Sequence, residues 1–249
     1  MPSPDPAQPV PVLSLSSVGR WFWRGSVRVE VLRGVSLELA AGDFVAVWGR
    51  LGSGKTTLLR VAAGLDAADE GVVRFGGRPL GELSRDELQH VRRREIGFAD
   101  RSGPLEPELT MLDYVAFPLV GVVSRVEAQR RAAGTLHELG LDPECRDLTW
   151  AELTDGERTL VSLAHAVVRR PKLLLVDDPT SNLGVHERER TMALLQRLAV
   201  RDGMAILMTA PDMAAALGAH QVHVLSGGEL LPAGPPPEDN LVRFPDAHA

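Results

Sequence analysis

The residues with the clearest chemical purpose lie side by side: Gly49, Arg50, Leu51, Gly52, Ser53, Gly54, Lys55, Thr56 and Thr57, which match the pattern G-x-x-x-x-G-K-[ST]. An alternating apolar run from Asp43 to Trp48 precedes them, and Leu58 to Ala63, which reads as helix, follows. Strand, glycine loop and helix are the setting that a phosphate-binding loop requires. Small residues let successive backbone N–H groups curl into a concave nest, and the amino end of the helix adds partial positive charge. In such a loop Lys55 reaches the outer phosphates and Thr56 offers its hydroxyl to Mg²⁺. A chance glycine turn is the competing reading, but Lys55 and Lys172 are the only lysines in the chain, so an accidental match is rare. The loop therefore implies a nucleoside triphosphate.

A phosphate loop needs a second acidic group to hold the metal and a residue that orients the attacking water. Leu173, Leu174, Leu175 and Val176 run directly into Asp177 and Asp178. Ligands of open α/β sheets bind at the carboxyl edge of the strands, which is where such a run ends. The alternative for two adjacent acids is a solvated strand end.

The elements that must position these groups follow from the patterning. Val27 to Val31 and Val35 to Leu39 alternate apolar and polar residues and predict antiparallel strands before the loop; Gly71 to Phe75 continues that sheet up to Gly76 and Gly77. A capping box at Ser84 to Glu87 opens a helix to about Arg94, and Ile96 to Ala99 reads as a buried strand. From Glu108 to about Leu153 the chain reads as helical, with a second capping box at Ser124 to Glu127 and a break between Gly140 and Pro143. A helix at about 156–169, the strand Lys172 to Asp177, a helix at about 186–200, the strand Met204 to Thr209 and a last turn of strand from Val222 to Leu231 complete the order. Alternation of strands and helices predicts an α/β fold, a mostly parallel sheet flanked by helices. Residues 1–11, with five prolines, and 232–249, with Pro235 to Pro237, read as flexible tails.

With 249 residues the chain suffices for one large α/β domain or for a domain carrying an inserted subdomain. A net charge of −6 without a long basic block argues against nucleic acid as a partner. The single cysteine, Cys145, excludes an internal disulfide framework and reads as packing or surface in place of a nucleophile. No apolar run approaches the roughly 18 residues of a membrane span, and no basic region precedes an apolar core at the amino terminus, so the protein is expected inside the cell.

These segments together resemble the ATP-binding subunits of ABC transporters across nearly everything from Val12 to Leu231, and within them the lipoprotein-release and macrolide-export type. Val29 to Val35 before the loop, and Ile96 to Phe98 with Pro107 to Thr110 after it, carry the finer likeness. The resemblance implies a P-loop NTPase core with an N-terminal antiparallel β subdomain and a helical subdomain at about 101–157. It implies ATP and Mg²⁺, with Thr56 and Asp177 at the metal. It also implies two cassettes facing head to tail, and a transmembrane permease partner that keeps the chain at the cytoplasmic side of the membrane. Phe22, with Trp21 and Trp23 one position to either side as alternatives, falls where an aromatic ring stacks on adenine; packing of all three within the sheet is the competing reading.

The sequence also departs from that family. Arg101 stands in place of the glutamine that touches Mg²⁺ and the attacking water, and an arginine has no acceptor. Asp178 replaces the catalytic glutamate and is one methylene shorter; a misplacement of about 1 Å can cost on the order of a hundredfold in rate. Ala210 stands where a histidine contacts the γ-phosphate. Gly184 replaces an aspartate that signals across the dimer. The signature reads Thr154, Asp155, Gly156 and Glu157, with a carboxylate at the helix end that should receive the γ-phosphate; at about 5 Å and an effective dielectric near 20, each like-charge pair costs roughly 3 kcal/mol. In a homodimer Arg101 of one chain and Asp155 of the other would carry opposite charges at the same phosphate and could pair there, although a lone surface charge is the commoner reading of each. Taken together, the departures predict binding of Mg·ATP with weak or absent hydrolysis, beside a second cassette that is a non-identical, more competent one or a copy of this chain. The alternatives are a non-transport regulator or scaffold switched by ATP binding, and an ordinary homodimeric transport ATPase.

Overall fold

Alternating sequence before Leu39 and unbroken apolar runs after it produce two different sheets. The computed structural model describes residues 10–233, so the tail readings fall outside the described residues except at Val10, Pro11, Pro232 and Ala233. In chain order the elements are β1 (Leu13–Arg24), β2 (Val27–Leu39), β3 (Phe44–Trp48), α1 (Lys55–Ala62), β4 (Glu70–Phe75), β5 (Arg78–Pro79), α2 (Arg85–Glu95), β6 (Ile96–Ala99), α3 (Met111–Ala116), α4 (Arg125–Glu138), α5 (Asp155–Val167), β7 (Leu173–Val176), α6 (Val185–Asp202), β8 (Ala205–Ala210), α7 (Met213–Ala216), β9 (Gln221–Ser226) and β10 (Glu229–Pro232).

The first sheet has the order β2-β1-β4-β5 and is antiparallel throughout. The second has the order β10-β9-β3-β8-β7-β6, with every pair parallel except the β9–β10 hairpin. This is the mostly parallel sheet expected of a P-loop NTPase fold. Successive residues of its central strands feed opposite faces. Phe44, Ala46, Leu174, Val176, Ile206 and Met208 join the core under α3 to α6, and Val45, Val47, Leu173, Leu175 and Leu207 join the core under α1 and the antiparallel sheet. Burial on both faces explains why these strands read as continuous apolar runs.

Two local readings are corrected. Val27 to Val31 and Val35 to Leu39 are halves of the single strand β2, and their antiparallel partner is β1. Pairing slips between Val18↔Val35 and Arg20↔Leu32, where Gly34 takes φ +57, and the extra residue moves the buried face from Leu32 to Val35. Val27 and Val29 consequently point to solvent. The stretch from 108 to 153 is less continuous than its pattern predicts: only α3 and α4 are α-helical, joined by short 3₁₀ turns. The box at Ser84 is complete, with Glu87 N–H donating to Ser84 Oγ at 3.3 Å and Ser84 N–H to Glu87 Oε2 at 3.0 Å. That at Ser124 is half formed, because the Glu127 carboxylate accepts instead from Arg130 and Arg131, at 2.7 and 2.6 Å.

Gly97 fixes how closely α5 approaches the sheet. A Cβ at Gly97 would lie 2.5 Å from the Ala166 carbonyl oxygen and 3.0 Å from Pro171 Cγ. Gly97→Ala is therefore expected to lower stability by about 2 kcal/mol, the usual cost of overpacking a filled core. Urea unfolding checks this; a change below about 0.5 kcal/mol, the range of neutral surface substitutions, would reject the packing account.

Candidate functional site

The phosphate loop is shaped by two close approaches. A Cβ at Gly49 would fall 2.5 Å from the Leu225 carbonyl oxygen and 2.7 Å from Ser53 Oγ, and one at Gly54, where φ is +101, would meet Val31 Cγ1 at 2.7 Å. Only glycine fits either position. Lys55 opens α1 and folds back over the loop, its ammonium donating to the carbonyls of Gly49 at 2.6 Å and Arg50 at 3.1 Å. Those contacts hold the ammonium over the concave face on which phosphates would lie.

Strand register brings the carboxylates to the same place. Val47 pairs with Thr209 across β3 and β8, and Val176 with Met208 across β7 and β8. Asp177, one residue past β7, accepts from Thr56 Oγ1 at 2.7 Å and from Thr209 Oγ1 at 2.6 Å. Thr209 in turn accepts from the Asp178 N–H at 2.9 Å, so one hydroxyl orders both acids. Asp178 adopts φ +50, in the left-handed region. Its Oδ2 accepts from Ser181 Oγ, while Oδ1 is buried without a hydrogen-bond partner. An orphan carboxylate oxygen beside a phosphate loop fits a ligand or water.

Phe22, Val31, the loop from Leu51 to Thr57, Arg101, Asp177 and Asp178 line an open cleft of about 540 Å³. Of the three candidate aromatics, Phe22 reaches that cleft. The Arg20 guanidinium lies 4.6 Å from its ring centre, and Trp21 is covered by Arg28 at 3.9 Å. Thr56 and Asp177 fit a magnesium ion, whose remaining ligands are characteristically phosphate oxygens and water. No group of three or more His, Cys, Asp or Glu among the described residues offers an all-protein metal cage.

Other candidate residues lie elsewhere. Ala210 ends β8 fully buried and packs into the core. Gly184 precedes α6, and its N–H donates to Glu187 Oε2 at 3.1 Å. Thr154 and Glu157 form a complete capping box on α5: Glu157 Oε2 accepts from the Thr154 N–H and hydroxyl, both at 2.8 Å. Gly156 faces Glu187, whose Oε1 would stand 2.5 Å from an added Cβ. Asp155 is the link back to the cleft, with Oδ1 lying 3.6 Å from Arg101 Nη2 and 3.5 Å from Arg158 Nη1. The two charges considered for pairing between chains thus meet within one.

Thr209, Ser181, Val31 and Arg158 belong to this site although their positions alone did not mark them. A polar residue near the end of an apolar strand, as Thr209 is, and a serine three residues after Asp178 were the available signals. Cys145 is buried and donates to Glu157 Oε1 at 3.2 Å; burial first, and then that carboxylate, push its thiol up to about 11. A maleimide is expected to label Cys145 slowly in the native protein and quickly in urea, and fast native labelling would contradict this placement.

Residues 32–181 match the sequence model described as ABC transporter. The chain is 36% identical over 223 residues to the lipoprotein-releasing system ATP-binding protein LolD of Pseudomonas syringae pv. tomato, covering 89% of this chain and 98% of that relative. It is 33% identical over 224 residues to the macrolide export ATP-binding/permease protein MacB of Syntrophobacter fumaroxidans, covering 89% of this chain and 31% of MacB. Among solved structures, the dimeric post-hydrolysis state of the ATP-binding cassette MJ0796 bound to ADP and Pi superposes with a TM-score of 0.82 at 31% identity, covering 88% of this chain and 96% of that one.

Proposed function

The chain belongs to the ABC transporter family, and we propose that it is an ATP-binding subunit which holds Mg·ATP far better than it cleaves it, acting as a clamp on a transmembrane partner. The observation that carries this reading is a division within one cleft. On the holding side, the glycine loop, Lys55 and the hydrogen-bonded pair Thr56–Asp177 are all in place, with Phe22 at the rim as a face for the base. When bound, Mg²⁺ would neutralise charge on the phosphates.

On the cleaving side each group is compromised. Arg101 presents donors where a water needs an acceptor, and its Nη1 is engaged by the Ser181 carbonyl at 2.8 Å. Ala210 is withdrawn into the core and offers the phosphate nothing. Asp178 has the charge of a general base, but one of its oxygens is engaged by Ser181 and its side chain is short.

LolD and MacB carry release and export in their names, and the superposed cassette is dimeric. By the same reading this chain pairs with a second cassette beneath permease subunits, at the cytoplasmic side of the membrane. A non-identical second cassette is favoured, since two copies of this chain would put Arg101 and Asp178 in both sites. No helix among the described residues is long and apolar enough to cross a membrane, which fits attachment through a partner. The test is purification with the membrane partner and separate measurement of binding and turnover. Saturable Mg·ATP binding with turnover well below about 1 s⁻¹, the low end of ordinary enzymes, is expected; turnover at or above that rate would overturn the proposal.

A further inference from the structure

We infer that Arg101 is a ligand for the terminal phosphate of a bound nucleoside triphosphate, held in reserve by Asp155 of the same chain until that phosphate arrives. The inference rests on the nucleotide-binding reading above and deepens it, because it gives the chain a way to tell triphosphate from diphosphate.

Placement is the first argument. Arg101 lines the cleft together with Lys55, Thr56, Asp177 and Asp178. In a loop of this kind the backbone amides take the inner phosphates, and the hydroxyl and carboxylate mark where a cation bridges the outer ones. The terminal group of a triphosphate therefore falls on the side of the cleft where Asp178 and Arg101 stand. A diphosphate ends short of it.

The second argument is how loosely Arg101 is held. A guanidinium carries five N–H donors in a planar fork suited to two oxygens at once. Here Nη1 donates to the Ser181 carbonyl at 2.8 Å, while Nη2 stands 3.6 Å from Asp155 Oδ1, an ion pair without a close hydrogen bond. Both side chains are about one-third exposed, at 34% and 38%, where ion pairs contribute little. A terminal phosphate offers three oxygens and more negative charge than one carboxylate, so it outcompetes Asp155. The aspartate is not stranded when Arg101 leaves, because Arg158 lies 3.5 Å from the same oxygen and is anchored by the Trp150 carbonyl at 3.0 Å.

The third argument is what the exchange would release. Asp155 is the first residue of α5, in the turn that begins at the Thr154 cap. Arg101 follows β6 and touches Ser181 beside Asp178. The pair therefore pins the start of α5 to the phosphate cleft in the absence of triphosphate. Capture of Arg101 by phosphate frees that turn, whereas ADP leaves it pinned.

The test measures affinities of the full-length chain for Mg·AMP-PNP and Mg·ADP in the wild type, in Arg101→Gln, in Asp155→Asn and in the double variant. Arg101→Gln should lose about tenfold for AMP-PNP, the effect of one charged hydrogen bond, with ADP changed less than about twofold. Asp155→Asn should bind AMP-PNP several-fold more tightly without a matching gain for ADP, and that gain should vanish in the double variant. ADP affinity doubles as the control for folding. Equal loss of both nucleotides in Arg101→Gln, or a gain in Asp155→Asn that survives removal of the arginine, overturns the inference while leaving nucleotide binding intact. A wild type that binds neither nucleotide overturns the functional reading and this inference with it.

Discussion

Lys55→Ala is expected to weaken Mg·ATP binding by roughly a hundredfold or more, since charged hydrogen bonds contribute about 1.5–3 kcal/mol each and the ammonium reaches more than one phosphate oxygen. No other lysine lines the cleft, and the arginine that does, Arg101, is engaged by the Ser181 carbonyl and Asp155 in place of the Gly49 and Arg50 carbonyls that Lys55 touches. The fold should survive the change. Lys55 loses two contacts to loop carbonyls, worth about 1 kcal/mol net in such partly exposed places, and α1 keeps its buried face of Leu58, Leu59, Val61 and Ala62. Calorimetric titration beside a thermal melt separates binding from folding. Retention of binding within about threefold of the wild type would remove the phosphate loop from the account altogether.

The parts of this site visible in the sequence are those whose chemistry is local. The loop is local because two glycines, a lysine and a threonine must stand at fixed spacing for one nest of amides to form, and strand and helix follow within a few residues. Asp177 is nearly so, since an apolar run ending in acids can only end at a sheet edge. The mostly parallel sheet could be read from runs such as Leu173 to Val176, because burial on both faces removes the polar alternation. What could not be read depends on how distant segments fold back. Arg101 and Asp155 are separated by α3, α4 and the turns around them, and their charges alone did not say whether they would meet within one chain. The family resemblance singled out Ala210 as a position where a histidine was expected, but its burial in the core came from the placement of β8. Gly34 shifts the buried face of β2 by a bulge that a period of two cannot express. Glu127 left its capping box because two arginines, three and four residues on, hold its carboxylate down at about 2, an electrostatic choice among competing partners.

Asp178→Glu alone is expected to leave turnover within about tenfold of the wild type, although a well-placed general base contributes on the order of 10²- to 10⁴-fold. The added methylene lengthens a side chain whose backbone is at φ +50, whose Oδ2 is held by Ser181 and whose Oδ1 is buried without a partner. The longer carboxylate gains reach toward water, yet Arg101 beside it still presents only donors, so the water it activates has no second acceptor to orient it. Residues that act as a unit are grossly non-additive. Arg101→Gln together with Asp178→Glu should therefore raise turnover by clearly more than the product of the two single effects, by roughly a hundredfold or more on the scale of general-base contributions. Introducing histidine at Ala210 is a poorer route, because that side chain is fully buried and overpacking there would cost about 1–3 kcal/mol of stability. Single-turnover measurements of phosphate release, made with saturating Mg·ATP and the membrane partner present, distinguish the outcomes. If Asp178→Glu by itself brings turnover to about 1 s⁻¹ or above, in the range of ordinary enzymes, the defect resides in one methylene, and Arg101 is no barrier to cleavage.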